Sequence, residues 1–254
     1  MCPTPSPPPP TYEKGRTYTV KEFEDLNRWL KTNELVVEGQ ALNSFDLDST
    51  GKLIPVPQTP ILKEVVVAKI VSQLTTWNVY TQQNGAVTSS QGGFNLDTSG
   101  GRTIRAPDVA FTPPNTYQNL TQQQLTTFQG LPFCPTVIVE VEDVSLPSKL
   151  NELDAKIKSE YFPAGIELAL LVDPINRKII TFKRDVNGVV KKWNCGWRDV
   201  AFNTFLPDFV LQVAGIDSSV GNSPASPSSG PASPSKAWTR TDCLLQSVQH
   251  LRLD

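Results

Sequence analysis

The spacing of apolar residues in the first half of the chain predicts two helices separated by a β-hairpin. The first helix covers residues 19–31, where apolar side chains recur at helical spacing after a capping-box sequence at residues 19–22. The hairpin covers residues 44–56. The second helix begins at Thr59-Pro60, because proline is favoured at the first helical position. Its predicted buried stripe is Val67, Ile70, Leu74 and Trp77, and we expect it to end near the last of these.

Strands dominate the pattern in the second half of the chain. The β-branched run at 136–142 follows a proline and predicts a buried central strand. We expect a helix from Ser148 to about residue 162 and a short helix at 121–128. The other predicted strands are 85–95, 102–112, 166–173 and 178–183. This order predicts an α/β fold with a mixed central sheet flanked by helices.

Proline and serine mark the ends of the predicted domain. Six of the first ten residues are proline, so residues 1–14 form a predicted disordered lead-in. Residues 217–236 contain eight Ser, four Pro and two Gly, which predicts a flexible linker. The domain is therefore expected over residues 15–216. A short amphipathic tail at 237–254 completes the chain, and the sequence leaves open whether it contacts a protein partner.

Composition excludes several classes of enzyme. The single histidine, His250, lies near the C-terminus, which argues against Ser-His-Asp, Cys-His and zinc-dependent hydrolysis. The net charge of −2 requires any polyanion to be held by a local patch. No stretch approaches a membrane span, and the chain starts without an apolar signal sequence. We therefore expect an intracellular protein with reduced cysteines.

An acidic pair on the central strand is the main candidate site. Glu140 and Glu142 are two residues apart, so they share a face of the strand. Their repulsion is relieved by exposure of the strand end, by a basic partner, or by a divalent cation such as Mg²⁺ or Mn²⁺. Asp108 lies upstream at a strand start, directly after a proline.

An ordered set of motifs resembles the Uma-two family, which consists of restriction-endonuclease-like proteins in the PD-(D/E)XK nuclease superfamily. The motifs are GKLIPVP, RAPDVAF, LTQQQLTTFQGLPFCP, VIVEV, KLNELDAKIKSEYFPAGIELALLVDP and LPDFV, and the likeness covers about 20–215. The resemblance implies a restriction-endonuclease-like core that hydrolyses DNA phosphodiester bonds with Mg²⁺ or Mn²⁺.

The resemblance also assigns roles to particular residues. It makes Asp108 the acid of the PD motif and Glu140 the strand acid, both as metal ligands, with Glu142 as an additional ligand at the place of the usual lysine. The catalytic lysine then comes from the next helix as Lys156. Lys158 stays an alternative, because the distance from Lys156 to Tyr161 is slightly longer than in the family pattern. A further N-terminal acid could be supplied by Glu64.

Two other functions remain open at this stage. Glu142 at the usual lysine position also fits a catalytically inactive DNA-binding module, and the proline-rich ends fit a protein-interaction module. A cluster of bases surrounds the last predicted strand and is typical either of a solvated face or of phosphate contact. It consists of Arg177, Lys178, Lys183, Arg184, Lys191, Lys192 and Arg198. The sequence does not decide whether the protein forms a homodimer.

Overall fold

The described part of the chain, residues 10–98, 101–202 and 204–220, forms helices and strands in a mixed α/β order in this computed structural model. The helices are α1 (Val20–Leu30), α2 (Ile61–Tyr80), α3 (Pro114–Tyr117), α4 (Gln122–Thr126), α5 (Pro147–Lys156), which continues as a π-helical turn (Ile157–Tyr161), and α6 (Val213–Val220). The strands are β1 (Val36–Val37), β2 (Gln40–Leu47), β3 (Leu53–Pro57), β4 (Ala86–Ser89), β5 (Phe94–Thr98), β6 (Gly101–Arg105), β7 (Val109–Thr112), β8 (Val137–Val141), β9 (Leu168–Asp173), β10 (Lys178–Arg184), β11 (Val190–Gly196), β12 (Val200–Ala201) and β13 (Val210–Leu211).

The larger sheet has the strand order β11-β10-β9-β8-β7-β4. Only β8 and β9 pair in parallel, and the other pairs are antiparallel, so the sheet is mixed as the sequence predicts. One face packs against α2 and α6 through residues such as Val139, Ile70 and Ile216. The opposite face packs against α5 and its π-helical turn, where Ile138 meets Ile157. Helices therefore cover both faces, and β8 is buried along its whole length.

The smaller sheet follows the order β1-β2-β6-β5, with β3 paired to β2. Helix α1 packs on it, because Phe23, Leu26 and Leu30 share an apolar cluster with β2. The side chain of Asn27 bonds both backbone groups of Phe45, at 2.7 Å to the nitrogen and 3.0 Å to the oxygen. These two hydrogen bonds hold α1 against β2 at Phe45, the residue directly before Asp46.

The structure confirms the fold class and most of the predicted elements, and it differs at several boundaries. The two long strands predicted at 85–95 and 102–112 are each divided in two, the second at Ala106-Pro107, because proline has no N–H to donate to a ladder. Helix α2 ends at Tyr80 rather than near Trp77. Helix α5 starts at Pro147, with Leu146 and not Ser148 at the cap position.

The predicted ends of the domain are only partly within the described residues. Tyr12, which the sequence places in the lead-in, packs its ring 4.8 Å from that of Phe45. Residues 217–220, assigned to the linker, are helical in α6. Residues 1–9, the rest of the predicted linker and the predicted tail at 237–254 lie outside the described residues. No helix in the described ranges combines the length and apolar character needed to cross a bilayer.

Candidate active site

Asp108 and Glu140 lie on the same face of the larger sheet, where β7 begins and β8 ends. Val109 is the register partner of Val139, so the residues just outside this pair, Asp108 and Glu140, stand opposite each other. Opposite residues of antiparallel strands point to the same face. The backbone N–H of Val141 donates to Oδ2 of Asp108 at 2.7 Å, and both acids are only 6% exposed. The fold thus places two carboxylates side by side in a largely buried site.

Lys156 and Tyr161 both contact the same oxygen of Glu140. The ammonium of Lys156 lies 2.9 Å from Oε1, and the hydroxyl of Tyr161 donates to that atom at 2.6 Å. The two residues are five apart, at the two ends of the π-helical turn, which is closed by a bond from Phe162 N to Ile157 O. A bond from residue i to i+5 brings residues five apart onto one face of the helix, so both side chains point at Glu140.

The π-helical turn also explains the spacing that left Lys158 as an alternative. Closing a turn with an i to i+5 bond accommodates one residue more than an α-helical turn. The extra residue lengthens the segment between Lys156 and Tyr161 and keeps both on the sheet side. Lys158 points away and pairs with Asp154 at 2.7 Å on the exposed side of the helix. The geometry therefore brings Lys156, and not Lys158, to the acids.

Lys63 was not identified from the sequence, yet it reaches the same cluster from the first turn of α2. Its ammonium lies 3.1 Å from Oδ2 of Asp108 and 3.4 Å from Oε2 of Glu142. The Glu142 side chain is 31% exposed, so it is the most open acid of the three. Basic partners therefore relieve the repulsion along β8, with Lys156 on Glu140 and Lys63 on Glu142. No periodicity signals Lys63, because its place depends on how α2 packs on the sheet.

A second charged group adjoins the site and includes two residues that the sequence did not single out. The guanidinium of Arg105, at the end of β6, binds both oxygens of Glu160, at 2.6 and 2.8 Å. It also lies 3.5 Å from Asp46 on β2. Arg105 is 3% exposed, so these partners are needed to hold its charge in the interior. Asp46 is thus the acid that the N-terminal sheet supplies close to the site.

Burial and neighbouring charges separate the pKa values of the two central acids. Burial and the nearby Glu140 carboxylate raise the pKa of Asp108 to about 6, although Lys63 and the Val141 amide oppose this shift. Burial would also raise the pKa of Glu140, but Lys156, the Tyr161 hydroxyl and Lys63 outweigh it and hold that pKa below its usual value. Desolvation raises the pKa of Asp46. The Glu140 carboxyl therefore ionises at lower pH than that of Asp108.

The ammonium of Lys156 stays charged despite its burial. Desolvation would lower the pKa of Lys156, but the carboxylates of Glu140 and Asp46 raise it above its ordinary value. The same balance holds for Lys63, whose pKa is raised by Asp108 and Glu142 against desolvation. Both lysines therefore bring full positive charges to the acidic cluster.

The carboxylates of Asp108 and Glu140 suit a hard divalent cation. Each directs one oxygen to its protein partners, Oδ2 in Asp108 and Oε1 in Glu140, and within the described residues the other oxygen has no hydrogen-bond partner. In these ranges no three or more Asp, Glu, His or Cys side chains stand close enough to hold a metal by themselves. Two carboxylates are nevertheless enough for Mg²⁺, which keeps several waters. The donor set therefore fits Mg²⁺ or Mn²⁺ with water completing the shell.

Glu64 and the predicted basic cluster lie apart from this constellation. Glu64 is exposed, and its described contact is with the hydroxyl of Ser90 at 3.5 Å. Arg177 binds Asp217 at 2.9 Å, and Lys192 binds Asp154 at 2.8 Å. The described side chains of the cluster are thus partly committed to contacts within the protein.

Comparisons with known proteins agree with this fold. The profile of the Uma2 family, described as "Putative restriction endonuclease", matches residues 23–214. A crystal structure titled "a putative nuclease belonging to DUF820" from Anabaena variabilis has a TM-score of 0.51 and 12% identity, and covers 70% of this chain and 91% of that one. At this identity the likeness shows the fold, and a comparison with curated proteins gives no match. Since the family match spans well over half of its length, this chain belongs to the Uma2 family and has that restriction-endonuclease-like core.

Proposed function

We propose that the protein is a metal-dependent endonuclease that hydrolyses phosphodiester bonds of DNA at Asp108, Glu140 and Lys156. The observation that supports this most strongly is the convergence of these side chains from three separate elements. Asp108 precedes β7, Glu140 is on β8 and Lys156 ends α5. Asp108 accepts at 2.7 Å from the backbone N–H of Val141, the residue after Glu140, and Lys156 lies 2.9 Å from Glu140. Paired carboxylates next to a lysine are a suitable set for phosphodiester hydrolysis, which needs no histidine.

The unpaired oxygens of Asp108 and Glu140 would hold Mg²⁺ or Mn²⁺, with Glu142 as an additional ligand on the more open side. A bound divalent ion supplies two things here, polarisation of the scissile phosphate and a lower pKa for a coordinated water. Glu142 is available for this role because its contact with Lys63 is long, at 3.4 Å. The bound cation would then counterbalance the negative charges of the acids and of the phosphate.

The remaining side chains position groups and supply charge. Lys156 keeps its proton and faces the acids, so it can orient the attacking water or stabilise negative charge as it develops on the phosphate. Tyr161 holds Glu140 ionised and fixed in orientation through its hydrogen bond. Lys63 neutralises Asp108 and Glu142 in the absence of substrate.

The direct test is cleavage of supercoiled plasmid with Mg²⁺ and with EDTA. We expect nicking that depends on Mg²⁺ and is abolished by Asp108→Ala and by Glu140→Ala. Glu64→Ala is the matched control, because that acid is exposed and outside the cluster. Cleavage that survives either site substitution would contradict the proposal. Salt-sensitive DNA binding without turnover in any divalent ion would instead identify an inactive binding module.

A further inference from the structure

One lysine bridges two of the acids that are proposed to bind the metal. The ammonium of Lys63, in the first turn of α2, lies 3.1 Å from Oδ2 of Asp108 and 3.4 Å from Oε2 of Glu142. The two acids come from different parts of the chain, one just before β7 and the other just after β8. A cation that binds both carboxylates would lie between them, and the ammonium of Lys63 already holds this position.

Charge repulsion also opposes the presence of Lys63 and a metal ion at the same carboxylate. The two oxygens of a carboxylate are neighbours on one carbon atom. A divalent cation on the free oxygen of Asp108 would therefore stand close to an ammonium that contacts Oδ2. Asp108 is only 6% exposed, and like charges repel more strongly away from bulk water. Each cation therefore weakens the binding of the other.

Lys63 is the more loosely held of the two lysines in the site. Lys156 lies 2.9 Å from Glu140, a usual length for a charged hydrogen bond, whereas both contacts of Lys63 are longer. Ile61 and Glu64, which are close to Lys63 in the chain, are exposed, so this turn of α2 borders solvent. The flexible stem of a lysine lets its ammonium turn towards water while the backbone stays in place.

The acids keep other partners when Lys63 leaves. Oδ2 of Asp108 still accepts from the backbone N–H of Val141 at 2.7 Å. Glu140 keeps both of its own donors, at 2.9 and 2.6 Å. The two central carboxylates therefore stay oriented for a metal after the ammonium has moved away.

We infer that Lys63 is an internal substitute for the metal, which holds Asp108 and Glu142 together in the absence of a divalent ion and must release them for the ion to bind. Lys63 therefore competes with the metal and sets the concentration at which the site fills. That this metal is Mg²⁺ or Mn²⁺ rests on the proposed function. The competition itself rests on the position of the ammonium between the acids.

The test is the binding of Mn²⁺ to the full chain without DNA, with free Mn²⁺ measured by electron paramagnetic resonance. The buffer is kept at about pH 8, well above the pKa of Asp108 of about 6, so that this acid is ionised. Lys63→Met keeps the length of the side chain and removes the ammonium. We expect the Kd of Mn²⁺ to fall roughly tenfold, the effect of losing one charged competing contact. Damage to the fold would instead weaken binding.

Lys69→Met is the matched control. Lys69 is an exposed residue of the same helix, and its replacement removes the same charge from the chain. We expect the Kd of Mn²⁺ in this variant to stay at the value of the original chain. Equal tightening in Lys63→Met and Lys69→Met would show that net charge alone determines the affinity, and would overturn the inference.

A second measurement on the original chain covers the case in which Lys63→Met does not fold without metal. Mg²⁺ is titrated into protein with ¹³C-labelled lysine side chains, and the NMR signal of Lys63 is assigned with Lys63→Arg. We expect the Cε signal of Lys63 to shift as the site saturates. The signal of Lys158, which pairs with Asp154 on the exposed side of its helix, should stay in place. A Lys63 signal that does not move at saturating Mg²⁺ would overturn the inference.

The results separate this inference from the proposed function. An unchanged or higher Kd in Lys63→Met overturns the inference, and Mg²⁺-dependent nicking by the original chain would then leave the proposed function intact. Tighter Mn²⁺ binding in Lys63→Met, with no plasmid nicking by the original chain, supports the inference and contradicts the proposed function. The absence of any Mn²⁺ binding contradicts both.

Discussion

Lys156 and Glu140 form a largely buried ion pair, with 2.9 Å between Nζ and Oε1 across sixteen residues of sequence. The side chains are 24% and 8% exposed. Two charges taken out of water at this depth are stable only with good geometry and further hydrogen bonds, which Tyr161 provides. Such a pair contributes little net stability compared with apolar packing, so stability alone does not account for it.

Replacing Lys156 with methionine tests this pair. The substitution leaves the Glu140 carboxylate buried without its cation, so we expect the free energy of unfolding to fall by about 3 kcal/mol. Plasmid cleavage should fall by roughly 10²- to 10³-fold, because a charge that faces the phosphate is lost. Urea denaturation and nicking assays measure the two effects.

Lys158→Met is the control for that experiment. Lys158 pairs with Asp154 on the exposed side of the same helix, with 39% of its side chain exposed. Exposed pairs contribute below about 1 kcal/mol, so stability and cleavage should stay near those of the original chain. Loss of cleavage in Lys158→Met with retention in Lys156→Met would reverse the assignment of the lysine.

The raised pKa of Asp108 predicts a specific dependence of stability on pH. Its folded value of about 6 exceeds the ordinary 3.8, so between these values the folded protein binds more protons than the unfolded chain. Stability from this group is present at low pH and is lost as the pH rises through about 6. In metal-free buffer, the free energy of unfolding of the original chain should fall by up to roughly 3 kcal/mol, relative to that of Asp108→Asn, between pH 4 and pH 6.5. Urea denaturation measures both free energies of unfolding. If the stability of the original chain relative to Asp108→Asn stayed constant or rose over this pH range, the raised pKa of Asp108 would be contradicted.

Glu142→Gln tests the additional metal ligand. Lys63 keeps its contact with Asp108 in this variant, so the fold should be retained. We expect the Mg²⁺ concentration for half-maximal cleavage to rise roughly tenfold, because one anionic oxygen is lost from the site. Glu64→Gln, in an exposed position on the same helix as Lys63, should leave that concentration unchanged. If both substitutions changed that Mg²⁺ concentration equally, Glu142 would not be a metal ligand.

Arg105→Met tests the buried charged group beside the site. Its loss leaves Glu160 and Asp46 without their cation, so we expect a fall of about 3 to 5 kcal/mol in the free energy of unfolding. Arg177→Met breaks a similar two-bond pair with Asp217, but on the surface, where the Arg177 side chain is 60% exposed. That control should cost less than about 1 kcal/mol. Thermal denaturation measures both variants. If Arg105→Met and Arg177→Met lost similar free energies of unfolding, burial would not determine how strongly Arg105 stabilises the fold.

Local patterns were sufficient to predict the strand that carries Glu140, while the strand predicted at 102–112 is divided just before Asp108. The β-branched run around Glu140 and the proline before Asp108 fix strand positions, and an antiparallel register then brings the acids together. The helical spacing of Leu150, Leu153, Ile157 and Tyr161 predicts the packed face of α5 and its π-helical turn. The last three are buried, and Leu150 is partly buried. The family resemblance supplied the choice of Lys156, which spacing alone left open.

The missing parts of the site depend on tertiary packing and on one irregular turn. Lys63 belongs to a helix on the opposite face and enters the site only because α2 starts at that edge of the sheet. Asp46 belongs to the other sheet, and Arg105 connects it to Glu160. The Tyr161 hydroxyl reaches Glu140 through a π-helical turn, for which hydrophobic periodicity gives no signal.

Anomalous diffraction from crystals soaked in Mn²⁺ tests the central claim most directly. The account predicts a manganese peak at roughly 2.1 Å from a carboxylate oxygen of both Asp108 and Glu140, with the ammonium of Lys63 displaced from Asp108. The peak should be absent from crystals of Asp108→Asn. If crystals soaked in saturating Mn²⁺ showed no peak at these two carboxylates, or showed peaks only elsewhere on the chain, the proposed metal site would be contradicted.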